Sequence, residues 1–279
     1  DLGQIEARLV AWLCNATKLL KEFEEKLDPY NKLASSIFGF PVNRKLPEHE
    51  VQGFIGKTGI LGLGYGCGVD KFYTMVLTMA RSQGIFDKVT KIFDKDLAKK
   101  SVYTYRDDYH QVKSAWVTLD HILGGSWMGH NGPITWGGPD KNAVRITQGA
   151  VELPNGMFLR YGSPHADKTG DKFYRFGAEL HKIYGAKFLE NIDQALARIL
   201  VMNAALRIEG HGRGKYPEFA KYFRFVLQAH DELVYIVPDE ILKDAKEIIH
   251  SEMIRRPSWG KTIPLVADIS HAASYGEAK

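Results

Sequence analysis

Seven glycines crowd residues 53–68, GFIGKTGILGLGYGCG, and set the sharpest constraint on how this chain can fold. Each glycine in a helix interior costs about 1 kcal/mol relative to alanine, so propensity alone makes the segment a loop. Yet Gly53, Lys57, Leu61 and Tyr65 recur every four residues, which on a helix aligns them along one face. A helix that is weak in itself and held by its surroundings satisfies both facts. It also suits an element that must move.

The 279 residues, 44% of them hydrophobic, suffice for one large domain or two smaller lobes. A formal net charge of +4 permits a nucleic-acid partner without demanding one. No apolar run approaches the roughly 20 residues that span a bilayer, and no signal peptide is visible. The expectation is a cytoplasmic protein with no membrane partner. Cys14 and Cys67 fit no zinc spacing and read as free thiols.

Hydrophobic spacing sorts the rest. Ile5, Leu9, Trp12 and Leu13 predict a helix after a short extended start, and a charged helix follows from Lys18 to Lys26. Asp28-Pro29 reads as a break. Tyr105, Tyr109, Val112, Trp116 and Leu119, at 4-3-4-3 spacing, predict one amphipathic helix. A loop rich in glycine and tryptophan covers 124–138. Alternation at Val144, Ile146 and Val151 begins a hairpin that turns at Pro154-Asn155-Gly156 and returns through Met157-Phe158-Leu159. A long helix is predicted from Lys187 to Leu206, a closing helix after Pro238, and a last strand over Ile263 to Ile269.

The segment FRFVLQAHDELVYIVP places two apolar strands around a turn bearing His230, Asp231 and Glu232. Acids at such a junction make sense if they meet a cation, and equally as a solvated turn. Asp1-Leu2-Gly3-Gln4-Ile5-Glu6, an aspartate before a helix, says little alone. A lysine and a tyrosine two turns apart, Lys57 and Tyr65, are by themselves ordinary surface and core.

Taken in order, these three segments resemble the signature motifs of family A DNA polymerases, the polymerase I superfamily. DLGQIEARLVAWL resembles the first motif, GKTGILGLGYGCG the second and LQAHDELVYIVP the third, with the LGLGYGCG form similar to bacteriophage members. The resemblance runs to the ending IPLVADISHAASYG. It implies an α/β (α+β) right-hand fold, with an antiparallel-sheet palm and helical fingers. The palm would comprise residues 1–30 and 170–279, and the fingers 31–169. It also implies a DNA-directed DNA polymerase with primer-template DNA and deoxynucleoside triphosphates as partners, in the cytoplasm, that of an infected host if viral.

By the same resemblance, Asp1 and Asp231 hold two magnesium ions with the Leu2 carbonyl as a further ligand, and Glu232 supports them. Two aspartates suit magnesium, which takes one or two carboxylates plus phosphate and water. Lys57 contacts the triphosphate and protonates the leaving pyrophosphate. Gln4, Glu6, Leu61 and Tyr65 complete the nucleotide site, Glu6 crowding the sugar 2′ position and Tyr65 stacking near the templating base. His230 meets the primer-terminal phosphate, and Gln194 reaches the minor groove. Departures from the pattern are Gly53 where an arginine is usual, with Arg44 or Lys45 as substitutes, Leu61 for an aromatic, and Gly3 for serine.

The first motif begins at residue 1, so the family's thumb and exonuclease domain are expected to be absent, supplied by a separate chain or an upstream segment. Two rivals stand beside a polymerase. One is a catalytically incomplete DNA-binding fragment of a larger or split enzyme. The other is a metal-dependent nuclease or phosphohydrolase, against which Glu6, Lys57 and Tyr65 count, because hydrolysis needs no nucleotide-selecting helix.

Overall fold

The computed structural model describes residues 1–219 and 223–278. The chain divides into two compact units: residues 1–9 with 194–279, and residues 10–193. Two helices, α1 (Ile5–Leu13) and α9 (Gly185–Lys215), contribute residues to both.

The larger unit is built on helices α2 (Thr17–Glu24), α3 (Pro29–Phe38), α4 (Glu50–Leu63), α5 (Val69–Ser82), α6 (Phe86–Val89), α7 (Lys95–Asp108) and α8 (His110–Ile122). Asp28-Pro29 proves to be a helix start. The Asp28 carboxylate accepts the Tyr30 N–H at 2.9 Å, and proline takes the first turn, where its missing N–H costs nothing. The single amphipathic helix expected through Tyr109 is two helices, because Tyr109 leaves helical geometry at φ −120°, ψ 49°. Its buried ring sends its hydroxyl to the Glu22 carboxylate at 3.0 Å. Burial pushes Glu22 upward from the ordinary carboxylate range.

The glycine-rich segment is helix α4, against propensity. Interior glycines cost it about 1 kcal/mol each, and close packing on α3 offsets them. A Cβ at Gly56 would stand 2.2 Å from the Tyr30 carbonyl oxygen and 2.8 Å from the Ala34 Cβ; one at Gly59 would stand 2.7 Å from Leu33. Only glycine lets the two helices approach this closely. Gly56→Ala is therefore expected to destabilise by about 2–3 kcal/mol despite its better helix propensity. Chemical denaturation checks this, and a gain in stability would contradict the packing account.

Residues 134–183 carry two antiparallel sheets. Strands β1 (Ile134–Trp136), β2 (Val144–Thr147), β3 (Ala150–Glu152) and β4 (Phe158–Arg160) form a meander in that order. The Pro154-Asn155-Gly156 turn joins β3 to β4, with Val151 opposite Leu159. Strands β5 (Gly162–Ala166), β6 (Lys172–Phe176) and β7 (Glu179–Ile183) form a second sheet that the sequence pattern does not announce.

In the smaller unit, β8 (Arg224–Ala229) and β9 (Glu232–Ile236) form an antiparallel hairpin laid on the second half of α9. The Tyr235 hydroxyl donates to the Ala205 carbonyl at 3.2 Å, and the Phe223 ring covers Gly212, where a Cβ would stand 2.8 Å from it. Helix α10 (Leu242–Met253) is tied to α9 by Arg207, which gives Nε–H to the Glu252 carboxylate at 2.9 Å and Nη2–H to its carbonyl at 2.7 Å. The last strand expected over 263–269 reduces to one antiparallel bridge between Ala267 and Leu2. Among the described residues, no helix is long and apolar enough to cross a membrane.

Candidate active site

The β8–β9 hairpin turns in two residues, His230 and Asp231, with Ala229 opposite Glu232. His230 sits at φ +54°, a backbone region where glycine is the unstrained choice. The chain keeps histidine there, exposed to solvent, with its carbonyl accepting from Gln228 Nε2 at 2.9 Å. Strain of this kind, worth about 1–2 kcal/mol, marks positions held for something other than stability. His230→Gly should accordingly fold at least as stably as the native chain, by up to about 1 kcal/mol in denaturant titration. A clear loss of stability would mean that the imidazole supports the turn.

The N-terminal residues lie against this turn. The Leu2 N–H donates to the Asp231 carbonyl at 3.2 Å. On its other side the segment pairs with residues 266–268: the Asp1 nitrogen donates to the Asp268 carbonyl at 3.2 Å, Asp268 N–H returns to the Asp1 carbonyl at 3.0 Å, and Gly3 N–H bonds Val266 at 3.2 Å. Asp1 and Asp231, 230 positions apart in sequence, are thus carried on hydrogen-bonded segments. Asp231, Glu232 and Asp268 all lie near enough to act electrostatically on the Asp1 nitrogen.

Two residues that the motif spacing did not single out fasten this arrangement. Arg8, 8% exposed, donates Nε–H to the Gly3 carbonyl and Nη1–H to the Pro264 carbonyl, each at 2.7 Å. It clips the start of the chain to the strand-like 264–268 segment. Tyr275 donates its hydroxyl to Glu232 Oε2 at 2.9 Å and so fixes one acid of the turn. An arginine one helical turn inside a mostly apolar stretch was the available sequence signal for the first.

Among the described residues no three His, Cys, Asp or Glu side chains form a ready metal cage. Asp1 is exposed and Asp231 half-buried, on neighbouring backbone.

The other candidate residues in this unit are placed as follows. Gln4 has φ +59° at the start of α1, and Glu6 is half-buried in its first turn. Gln194 is exposed on α9.

In the larger unit, Lys57 and Leu61 lie exposed on α4, and Tyr65 lies on the turn after it. Among the described residues no ion pair engages Lys57. One turn earlier, Arg44 occupies the space over Gly53: a Cβ there would stand 2.3 Å from the Arg44 Cβ. The Arg44 guanidinium gives Nε–H to Asp28 at 2.6 Å and lies 5.1 Å from the centre of the Tyr30 ring. Lys45 is exposed nearby in sequence.

No family model matches the chain. It is 27% identical to the DNA polymerase of Bacillus phage SP02, over 96% of this chain and 39% of that protein. The chain thus spans about two-fifths of the length of the curated relative it matches. Its structure superimposes on the POL domain of Pol1 from M. smegmatis, solved as a complex with DNA primer-template and dNTP, with TM-score 0.59 and 18% identity over 91% of this chain and 35% of that one. The fold is that of a DNA polymerase domain. The similarity to a phage DNA polymerase along 96% of the chain and the fold agree with the resemblance read from the three motifs. Within this polymerase fold, the first and third motifs meet at the hairpin turn, and the second is α4 with the turn that follows it.

Proposed function

We propose that the chain performs template-directed DNA synthesis, joining deoxynucleoside triphosphates to a primer 3′-hydroxyl with release of pyrophosphate. The observation that carries this is the seating of the Asp1–Gly3 segment against the Asp231 turn. It brings the backbones that bear Asp1 and Asp231 together across 230 positions of sequence, which supports a shared role for the two aspartates. Support comes also from the phage relative, a DNA polymerase, and from the structural neighbour's complex with primer-template and dNTP.

In this function residues 1–30 and 170–279 serve as palm and residues 31–169 as fingers. Asp1, Asp231 and the Leu2 carbonyl would hold two magnesium ions, with Glu232 in support. When bound, the ions lower the pKa of the attacking hydroxyl and neutralise charge on the phosphates. The residues of the chain do the rest. Asp1 and Asp231 orient the reacting groups, and His230 at the turn apex meets the primer-terminal phosphate. Gln194 reads the minor groove. Glu6 and Gln4 face the sugar, where Glu6 crowds a 2′-hydroxyl and so excludes ribonucleotides. The primer 3′-oxygen attacks the α-phosphorus, and the bond from that phosphorus to the bridging oxygen breaks.

On the fingers side, Lys57 meets the triphosphate and gives a proton to the departing pyrophosphate. Arg44, whose stem fills the volume that Gly53 leaves open, supplies the second cation on this face, in preference to Lys45. Leu61 makes an apolar contact with the sugar, and Tyr65 stacks beside the templating base. Primer extension on a defined template, with magnesium and the four deoxynucleotides, tests the proposal. Addition of the complementary nucleotide alone is expected. Shortening of the DNA without nucleotides would favour hydrolysis, and DNA binding without extension would favour an incomplete enzyme.

A further inference from the structure

Tyr65 stands on a turn with little stiffness of its own. Glycines flank it at 64 and 66, and Gly66 has φ +76°. The turn is nevertheless fastened to its neighbours. Trp116 on α8 donates Nε1–H to the Gly64 carbonyl at 2.9 Å, and Arg106 on α7 donates to the Cys67 carbonyl at 3.3 Å. At Gly66 a Cβ would stand 2.6 Å from the Ala186 Cβ on α9. These contacts hold the backbone on both sides of Tyr65, and something further holds its hydroxyl.

That something is a carboxylate. The Tyr65 hydroxyl donates to Asp193 Oδ2 at 2.6 Å, a short hydrogen bond. Asp193 is wholly buried on α9, at 0% exposure, flanked in sequence by the buried Ile192 and, three residues on, Leu196. Its charge also opposes ionisation of Cys14 and Tyr105, which burial already pushes upward. Burying a carboxylate costs several kcal/mol, and a serine or asparagine would meet a tyrosine hydroxyl more cheaply. What this aspartate supplies is a short, directed contact to the Tyr65 hydroxyl.

We propose that Asp193 is a positioning residue, which holds the Tyr65 ring in one orientation and through it sets how strictly the templating base is matched. This rests on the polymerase function proposed above and on the place of Tyr65 in it. Asp193 touches no substrate. It acts by removing the rotational freedom of a ring whose backbone is glycine-flanked, so that the stacking surface is in place before a nucleotide arrives.

The test compares kcat/KM for correct and mismatched deoxynucleotides in the protein at its full natural length, with each preparation corrected for its active fraction by burst titration. Asp193→Asn keeps shape and a weaker acceptor, and should reduce the correct-to-mismatched ratio about 2- to 5-fold. Asp193→Val removes the acceptor and should reduce it about 10-fold or more, chiefly by raising the efficiency of mismatches. Tyr65→Phe should match Asp193→Val, and the double variant should be no worse than Tyr65→Phe alone. A merely structural role would lower the active fraction and leave the ratio untouched. An unchanged ratio in Asp193→Asn, Asp193→Val and Tyr65→Phe, with native extension intact, overturns this inference alone. Absence of extension by the native protein overturns the polymerase function, and this inference falls with it.

Discussion

Replacing Arg8 by alanine is expected to destabilise the protein by about 3 kcal/mol or more and to abolish primer extension. The guanidinium is buried and spans two carbonyls, those of Gly3 and Pro264, which belong to opposite ends of the chain. Hydrogen bonds from a charged donor are worth roughly 1.5–3 kcal/mol each, and truncation leaves both acceptors short of a partner. The loss falls on the segment that bears Asp1, which pairs with residues 266–268 and leans on Asp231. Lysine cannot rescue it, because one ammonium on a flexible stem does not reproduce two diverging N–H groups of a planar fork. Denaturant titration gives the stability, and extension at a temperature where the variant stays folded gives the function. A loss under about 1 kcal/mol would mean that water takes over both carbonyls and that the clip is incidental.

Lys57→Ala should leave stability within about 0.5 kcal/mol, since the side chain is exposed and unengaged by any ion pair among the described residues. It should nevertheless lower kcat/KM for nucleotide addition by about 10²–10³-fold. A fixed cation aimed at developing phosphate charge typically carries that much, equivalent to roughly 3–4 kcal/mol of transition-state stabilisation. Lys57→Arg should recover part of the loss by keeping the charge. Single-turnover incorporation measures both variants, and a deficit below about 10-fold in Lys57→Ala would remove Lys57 from the nucleotide site.

Some of this molecule is legible in its sequence, for physical reasons. The β8–β9 hairpin announces itself because two apolar runs flank a polar two-residue turn, and period-2 patterning is local. The same holds for the β3–β4 turn at Pro154-Asn155-Gly156 and for α1 and most of α9. Helix α4 is legible only through the four-residue recurrence of its exposed face. Its glycines make sense once α3 is seen against Gly56 and Gly59, a contact between segments that no local rule connects. Tyr109 keeps helical spacing but breaks the helix, because its hydroxyl is drawn to Glu22, 87 positions away.

The sheet β5–β7 escaped notice because its strands are exposed on both sides along much of their length and carry no alternation, with a register irregularity between Gly162 and His165. Asp193 and Arg8 are charged residues on the buried faces of their helices. Sequence shows that each needs a partner, but the partner is set by the fold. The joining of Asp1 to Asp231 likewise belongs to the fold; the motif resemblance anticipates it, and no pattern in the residues themselves requires it.

The acidic turn is the proposed centre of chemistry. The most direct measurement is the single-nucleotide incorporation rate of Asp231→Asn against the native protein, at saturating primed DNA, magnesium and complementary deoxynucleotide, with DNA affinity measured alongside. The substitution keeps the shape of a half-exposed turn residue and removes one negative charge. The expected result is a fall of about 10³-fold or more in rate with DNA affinity nearly unchanged, as loss of a metal-holding carboxylate requires. Incorporation within about 10-fold of native would place the chemistry elsewhere.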